Sequence, residues 1–176
     1  ATNAGRRAPA TIMKGRRGGE REVAPGFLTL VAPEAPQITP LENSSGRRTA
    51  LAAWITRPDN ALATRTIVNR VWQYHFGRGI AATPNDLGKL GEKPTHPELL
   101  DWLARRFVAQ GWSFKRLHRE MLLSATYRQT AHVAVSEAAA LADPTNRYLW
   151  RFSPRRLDAE QVRDAMLAAS GELDLT

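Results

Sequence analysis

The run from Asn60 to Gly77 constrains this chain more than any other. Leu62, Ile67, Val71 and Tyr74 fall on one face of a helix, Val68, Trp72 and Phe76 on a second, and Arg65, Asn69 and Gln73 lie four apart on a third stripe. An apolar arc that wide cannot face water, so this helix is expected to be buried over most of its circumference, with the rest of the fold arranged around it. Its polar stripe then needs partners, because a buried unsatisfied polar group costs about 1–3 kcal/mol. Asn60 can cap the start and Gly77 can stop the end. The closing stretch, Asn69 to Gly79 (NRVWQYHFGRG), concentrates an amide, aromatic rings, an imidazole and two arginines. Asn69, Arg70, Gln73, His75 and Arg78 are therefore its candidate ligand-binding or cleft residues.

The remaining periodicity is also helical. Leu51, Trp54 and Ile55 mark a short amphipathic helix that ends before Pro58. Thr95 and Glu98 read as a capping box for a helix carrying Leu99, Leu100, Leu103, Phe107 and Val108, which Gly111 stops, and Trp102 reads as core. Ser113 can cap the next, with Phe114, Leu117 and Met121 on its apolar face. Asp158 with Gln161 forms a second capping box, flanked by Leu157 and Val162 as a hydrophobic staple. It opens a helix whose inward stripe is Val162, Ala165, Met166 and Ala169. Residues 77–94 hold Gly77, Gly79, Pro84, Gly88, Gly91 and Pro94 and read as a long connection, and connections of that length are usually functional. The expected fold class is mainly α: a single helical domain of about five helices over residues 46–176, with long loops.

Residues 1–45 contrast with that domain. They carry several of the 11 prolines, no long apolar run, and the basic glycine-rich stretch Lys14 to Arg21, so an extended or irregular arm is expected, continuing from an upstream region. No run of 18 apolar residues exists, which argues against a transmembrane helix. With no cysteine, the chain forms no disulfide, thiolate nucleophile or sulfur-ligated metal site. Its net charge is +8, from 25 Lys and Arg against 17 Asp and Glu, and arginine dominates. Arginine favours bidentate pairing with carboxylate or phosphate.

Few chemistry-bearing patterns survive inspection. His75, His96, His118 and His132 are widely separated, and none has a second histidine at helical ligand spacing, so no metal is expected. His75 sits in the last turn of its helix, as a core imidazole bound to a carbonyl or as a ligand group. His96 stands beside Pro97, and His118 reads as a solvent-facing helix residue among Arg116, Arg119 and Glu120. Asp86, Glu92, Asp101 and Asp158 could supply paired carboxylates, but spacing along the chain sets no distance between them. Neither a nucleophile elbow nor a phosphate-binding loop appears; Gly15 to Gly19 lacks the order of the latter. Arg147, Arg151, Arg155 and Arg156, interleaved with Tyr148, Trp150 and Phe152, form the best nucleic-acid candidate, without a groove-reading module.

Four ordered motifs carry a resemblance that spans nearly the whole chain. They are IMKGRRGGEREVAPGFL, ITRPDNALATRTIVNRVWQYHFGRGIAATPNDLG, GEKPTHPELLDWLARRFVAQGWSFKRLHREMLLSATYRQT and NRYLWRFSPRRLDAEQVRDAMLAASG. Together they resemble the planctomycete PSD1 family, domain of unknown function 1553. The family's motif residues map to Asn69, Arg70, Trp72, His75, Gly77, Arg78 and Gly79, to Thr95, His96 and Pro97, to Tyr127, Arg128 and Gln129, and to Arg155, Arg156, Leu157 and Asp158.

The resemblance implies organisation more than chemistry. Family members look like C-terminal parts of larger exported bacterial proteins, joined to a companion domain and sometimes to a cytochrome-c-like domain. This chain has no Cys-x-x-Cys-His and so expects no haem or other cofactor of its own. The resemblance adds His96, Arg128, Arg155, Arg156 and Asp158 to the candidate cleft residues, with no catalytic residue assigned. Three readings follow. The first is a structural or ligand-binding domain of an exported, periplasmic or extracellular protein that recognises polysaccharide. The second is a hydrolase or redox-associated enzyme using His75 or His96 with a carboxylate. The third, disfavoured by the resemblance, is a nucleic-acid-binding module.

Overall fold

Capping chemistry sets the boundaries of the longest helices. In a computed structural model of the chain, which describes residues 11–15, 18–29, 31–42, 44–131 and 137–174, the order is two short strands followed by six helices. These are β1 (Thr11–Lys14), β2 (Glu20–Val23), α1 (Arg47–Ile55), α2 (Ala61–Phe76), α3 (Pro97–Ala109), α4 (Phe114–Leu123), α5 (Glu137–Ala142) and α6 (Ala159–Ser170). The mainly α class expected from periodicity holds. The helix beyond the expected five is α5, a six-residue helix inside the second long connection. His132, Arg16 and Arg17 of the sequence analysis lie outside the described residues.

The caps follow local side-chain chemistry. Asn60 accepts from the Ala63 N–H at 3.1 Å and donates to the Trp54 carbonyl at 3.0 Å, so one buried amide both starts α2 and ties it to the end of α1. Gly77 closes α2 with φ 82°, a left-handed conformation that a side chain would strain. Ser113 caps α4, and Asp158 with Gln161 forms the complete capping box of α6. Thr95 departs from expectation. Pro97 has no N–H to lose and takes the first position of α3, while the Thr95 hydroxyl turns to the Ile80 carbonyl at 3.3 Å.

The chain divides into two compact units, one of Ala1–Val68 with Asp101–Trp112 and the other of Asn69–Leu100 with Ser113–Thr176. In the first, β1 and β2 pair antiparallel, with Thr11 opposite Val23 and Lys14 opposite Glu20, so part of the arm expected to be extended or irregular forms a short hairpin. Further along, Phe27 stacks on Trp54 with ring centroids 4.9 Å apart, and Ala32 is buried. Val68, Leu103, Ala104 and Phe107 are buried in this unit, whereas Trp102, expected in the core, is 53% exposed. Arg65 meets Asp101 at 2.6 Å and holds that carboxyl below its usual range.

In the second unit Val71, Trp72, Phe76, Ile80, Ala81, Leu100, Leu117 and Met121 are buried, and Trp72 stacks on Phe76 at 4.0 Å. Two buried asparagines tie its connections down. Asn69 donates to the Ala81 carbonyl and accepts from the Ala81 N–H, both at 2.9 Å, so its amide replaces a strand partner for the loop after α2. Asn146 does the same for the second connection, donating to the Arg151 carbonyl and the Ser153 hydroxyl, each at 2.8 Å. Gly79 is required beside the first clamp, because a Cβ there would lie 2.5 Å from the Ala81 carbonyl oxygen and 2.8 Å from Asn69 Nδ2. α6 behaves differently from expectation. Its stripe is not inward: Val162 is 40% exposed, Met166 67%, and no residue of the helix is buried.

Candidate functional site

Every candidate residue except one side chain's worth of buried amide lies at or near the surface of the second unit. Asn69 is that exception, 1% exposed and fully occupied by Ala81, which makes it a structural clamp. Arg70 donates to Asn85 Oδ1 at 2.7 Å, Arg78 pairs with Glu92 at 2.9 Å, and the Thr95 N–H and hydroxyl both donate to the Ile80 carbonyl, so the connection 77–94 is tied at several points. Gln73 gives its backbone carbonyl to the Gly77 N–H, and its side chain is half-buried. Arg128 is exposed just beyond α4.

The histidines separate into two places. His96 Nδ1 lies 2.9 Å from Thr95 Oγ1, and its ring meets Tyr148 edge-on; Arg78 and Arg147 share with it a small cavity of about 60 Å³. His75 Nε2 lies 2.7 Å from His118 Nδ1, a contact that needs one ring to donate and the other to accept. His118 is therefore half-buried against another imidazole and does not face solvent as its charged neighbours suggested. The Tyr127 ring closes one side of His75 edge-on and Arg155 lies near enough to act on it electrostatically. Burial first, then the charges of His118 and Arg155, push the His75 pKa down.

The carboxylates proposed as partners for these imidazoles are engaged elsewhere. Asp101 belongs to Arg65, Asp86 accepts from the Gly88 N–H at 3.0 Å, and Asp158 accepts from the Gln161 N–H at 2.8 Å. Among the described residues no group of three or more His, Cys, Asp or Glu side chains converges to hold a metal ion. The basic and aromatic cluster from Arg147 to Arg156 is also distributed. Arg147 reaches toward Glu92, Trp150 donates to the Asp143 carbonyl, Arg151 stacks over Trp150 and Phe152 packs on Tyr127.

What the structure does bring together is Arg155, Arg156 and Asp158. With Tyr74, Leu157, Gln161 and Val162 they line an open groove of about 1100 Å³. Arg155 Nη1 donates to the Tyr74 carbonyl at 2.6 Å, which pins the segment before α6 to the last turn of α2. The Tyr74 ring is 77% exposed. Helical spacing had set Tyr74 on a core face with Leu62, which is also exposed; the phenolic hydroxyl was the one signal that this position tolerates water. Nothing local foretold His118 either, since its partner lies 43 residues away.

The chain is mainly helical, and its second unit carries a tightly clamped loop and an open, arginine-lined groove. The chain belongs to the PSD1 family: the family's sequence model, "Protein of unknown function (DUF1553)", matches residues 47–176. No curated protein and no solved structure gives a significant match to the chain. No helix among the described residues is long and apolar enough to cross a membrane.

Proposed function

We propose that this chain is a ligand-binding domain of an exported multidomain protein and that its ligand is a polysaccharide, held in the groove between the end of α2 and the start of α6. The observation that carries the reading is the exposed Tyr74 ring beside a groove furnished with guanidinium, carboxylate and carboxamide groups. A sugar ring presents an apolar face that stacks on an aromatic side chain and hydroxyls that pair with such polar groups. Tyr74 stands two residues from each of the buried Trp72 and Phe76, on the opposite face of α2, where its ring is free to meet a ligand. In the same reading the domain works outside the cytoplasm beside a companion domain of its parent chain, including a cytochrome-c-like one; the sequence motifs shared with the family support this.

Affinity electrophoresis of the 176-residue chain through gels containing a panel of soluble polysaccharides tests the binding. At least one polymer is expected to retard the wild type, with retardation lost in Tyr74→Ala while the circular dichroism spectrum is unchanged. Unretarded migration in every gel would contradict the reading.

A further inference from the structure

We infer that the polysaccharide is anionic, a polyuronate whose carboxylates pair with Arg155 and Arg156. This rests on the groove reading above and adds the charge of the ligand. Some arginines of this chain are neutralised within the fold, while others, such as Arg70 on the Asn85 carboxamide, are not. Arg57, Arg65 and Arg78 each lie against a carboxylate, at 2.6 Å from Asp59, 2.6 Å from Asp101 and 2.9 Å from Glu92. The two groove arginines do not. Arg155 donates to a neutral carbonyl, and Arg156 has no carboxylate partner among the described residues.

The Arg155 head group is thus oriented by Tyr74 without being neutralised, and its remaining N–H donors stay available to an incoming oxyanion. Its charge is felt nearby, since it helps to disfavour protonation of His75. Among the described residues Asp158 is the one acid lining the groove, and one of its oxygens is committed to the Gln161 N–H. Two cations and one anion leave the groove with a modest positive excess. That suits a polymer with one carboxylate per sugar, whose uncharged ring faces can lie on Tyr74 and Leu157. Duplex DNA, with one charge per roughly 1.7 Å of axis and its bases stacked inside, offers the groove charge without an apolar face.

The test uses matched probes on the whole chain: polygalacturonate, the same polymer fully methyl-esterified, and duplex DNA, each titrated at low and at physiological salt. Polygalacturonate is expected to bind about tenfold more tightly than its ester, with the preference shrinking as salt rises. Arg156→Gln, at an exposed position, should reduce the preference by several-fold without changing the fold, and Tyr74→Ala should weaken both polymers. Equal binding of acid and ester, or an unchanged preference in Arg156→Gln, would overturn the charge assignment and leave the polysaccharide reading standing. Failure of both polymers to bind would overturn this inference, and the polysaccharide reading would fall with it only if every polymer of the electrophoresis panel also failed to retard the chain. DNA binding as tight as polygalacturonate and indifferent to Tyr74→Ala would overturn the inference in favour of general polyanion attraction.

Discussion

The second half of α2 and the whole of α6 carry the same kind of sequence pattern and meet opposite fates. Both place apolar side chains at helical spacing, and both are well capped. Around α2, Val71, Trp72 and Phe76 are buried, and the polar stripe is satisfied by Asn69 on Ala81. Along α6, Val162 and Met166 remain in solvent and Tyr74 stands uncovered at the groove beside its start. Periodicity states that a helix has an apolar face; it does not state that the same chain supplies the cover. The stretch Asn69 to Gly79 is accordingly scaffold for most of its length, and the surface it leaves open is the one proposed to bind the ligand.

The contrast can be broken most severely at its buried side. Trp72→Ala should cost about 3–5 kcal/mol in chemical denaturation, because a ring stacked on Phe76 and 5% exposed leaves a cavity. A loss below about 1 kcal/mol would mean that α2 is not the core helix described. Asn69→Ala should follow at roughly 2–4 kcal/mol, since it orphans both the N–H and the carbonyl of Ala81. Gly79→Ala should cost about 1–3 kcal/mol through the close approach of its new Cβ to the same groups. If Gly79→Ala proves neutral, the loop is not clamped as described.

The His75–His118 contact sharpens the comparison through pH. The folded-state pKa of His75 lies below its unfolded value of about 6.5, so protons bind the unfolded chain more readily. Its contribution to stability is complete above about pH 6.5 and declines as pH falls through that value toward the lower folded pKa. The denaturation midpoint should fall between pH 7.5 and 5, and His75→Asn should flatten that slope; an unchanged slope would contradict the pairing. Asp101, which Arg65 holds below its usual range, and Asp143, which the Tyr148 and Arg147 N–H groups hold down likewise, lose their contributions only at more acid pH, so the two windows separate. The smallest stability effect belongs to α6. Met166→Ser should change stability by no more than about 0.5 kcal/mol, and a large loss would show that the helix is covered after all.

The parts of this fold legible in the sequence are those decided within one turn of chain. Asn60, Ser113 and the Asp158–Gln161 box cap where they were expected because each reaches a backbone N–H three residues on. The hairpin of β1 and β2 was obscured by the proline-rich composition around it. Trp102 and the α6 stripe were assigned to a core because hydrophobicity alone does not distinguish a covered face from a waiting one. The site was less legible still. Arg155, Arg156 and Asp158 were singled out, but the residue that joins them, Tyr74, is 81 positions from Arg155 and was assigned to packing. His75 was marked without the partner that defines its chemistry. Contacts of that separation are made by the fold, and no spacing rule records them.

A chemical-shift map of the backbone amides during titration with polygalacturonate tests the central claim most directly. The account predicts that shifts cluster at Tyr74 and from Arg155 to Val162, while Asn69, Ile80 and Ala81 stay still. Shifts concentrated at the Asn69–Ala81 clamp or around His96, with the groove unmoved, would contradict it.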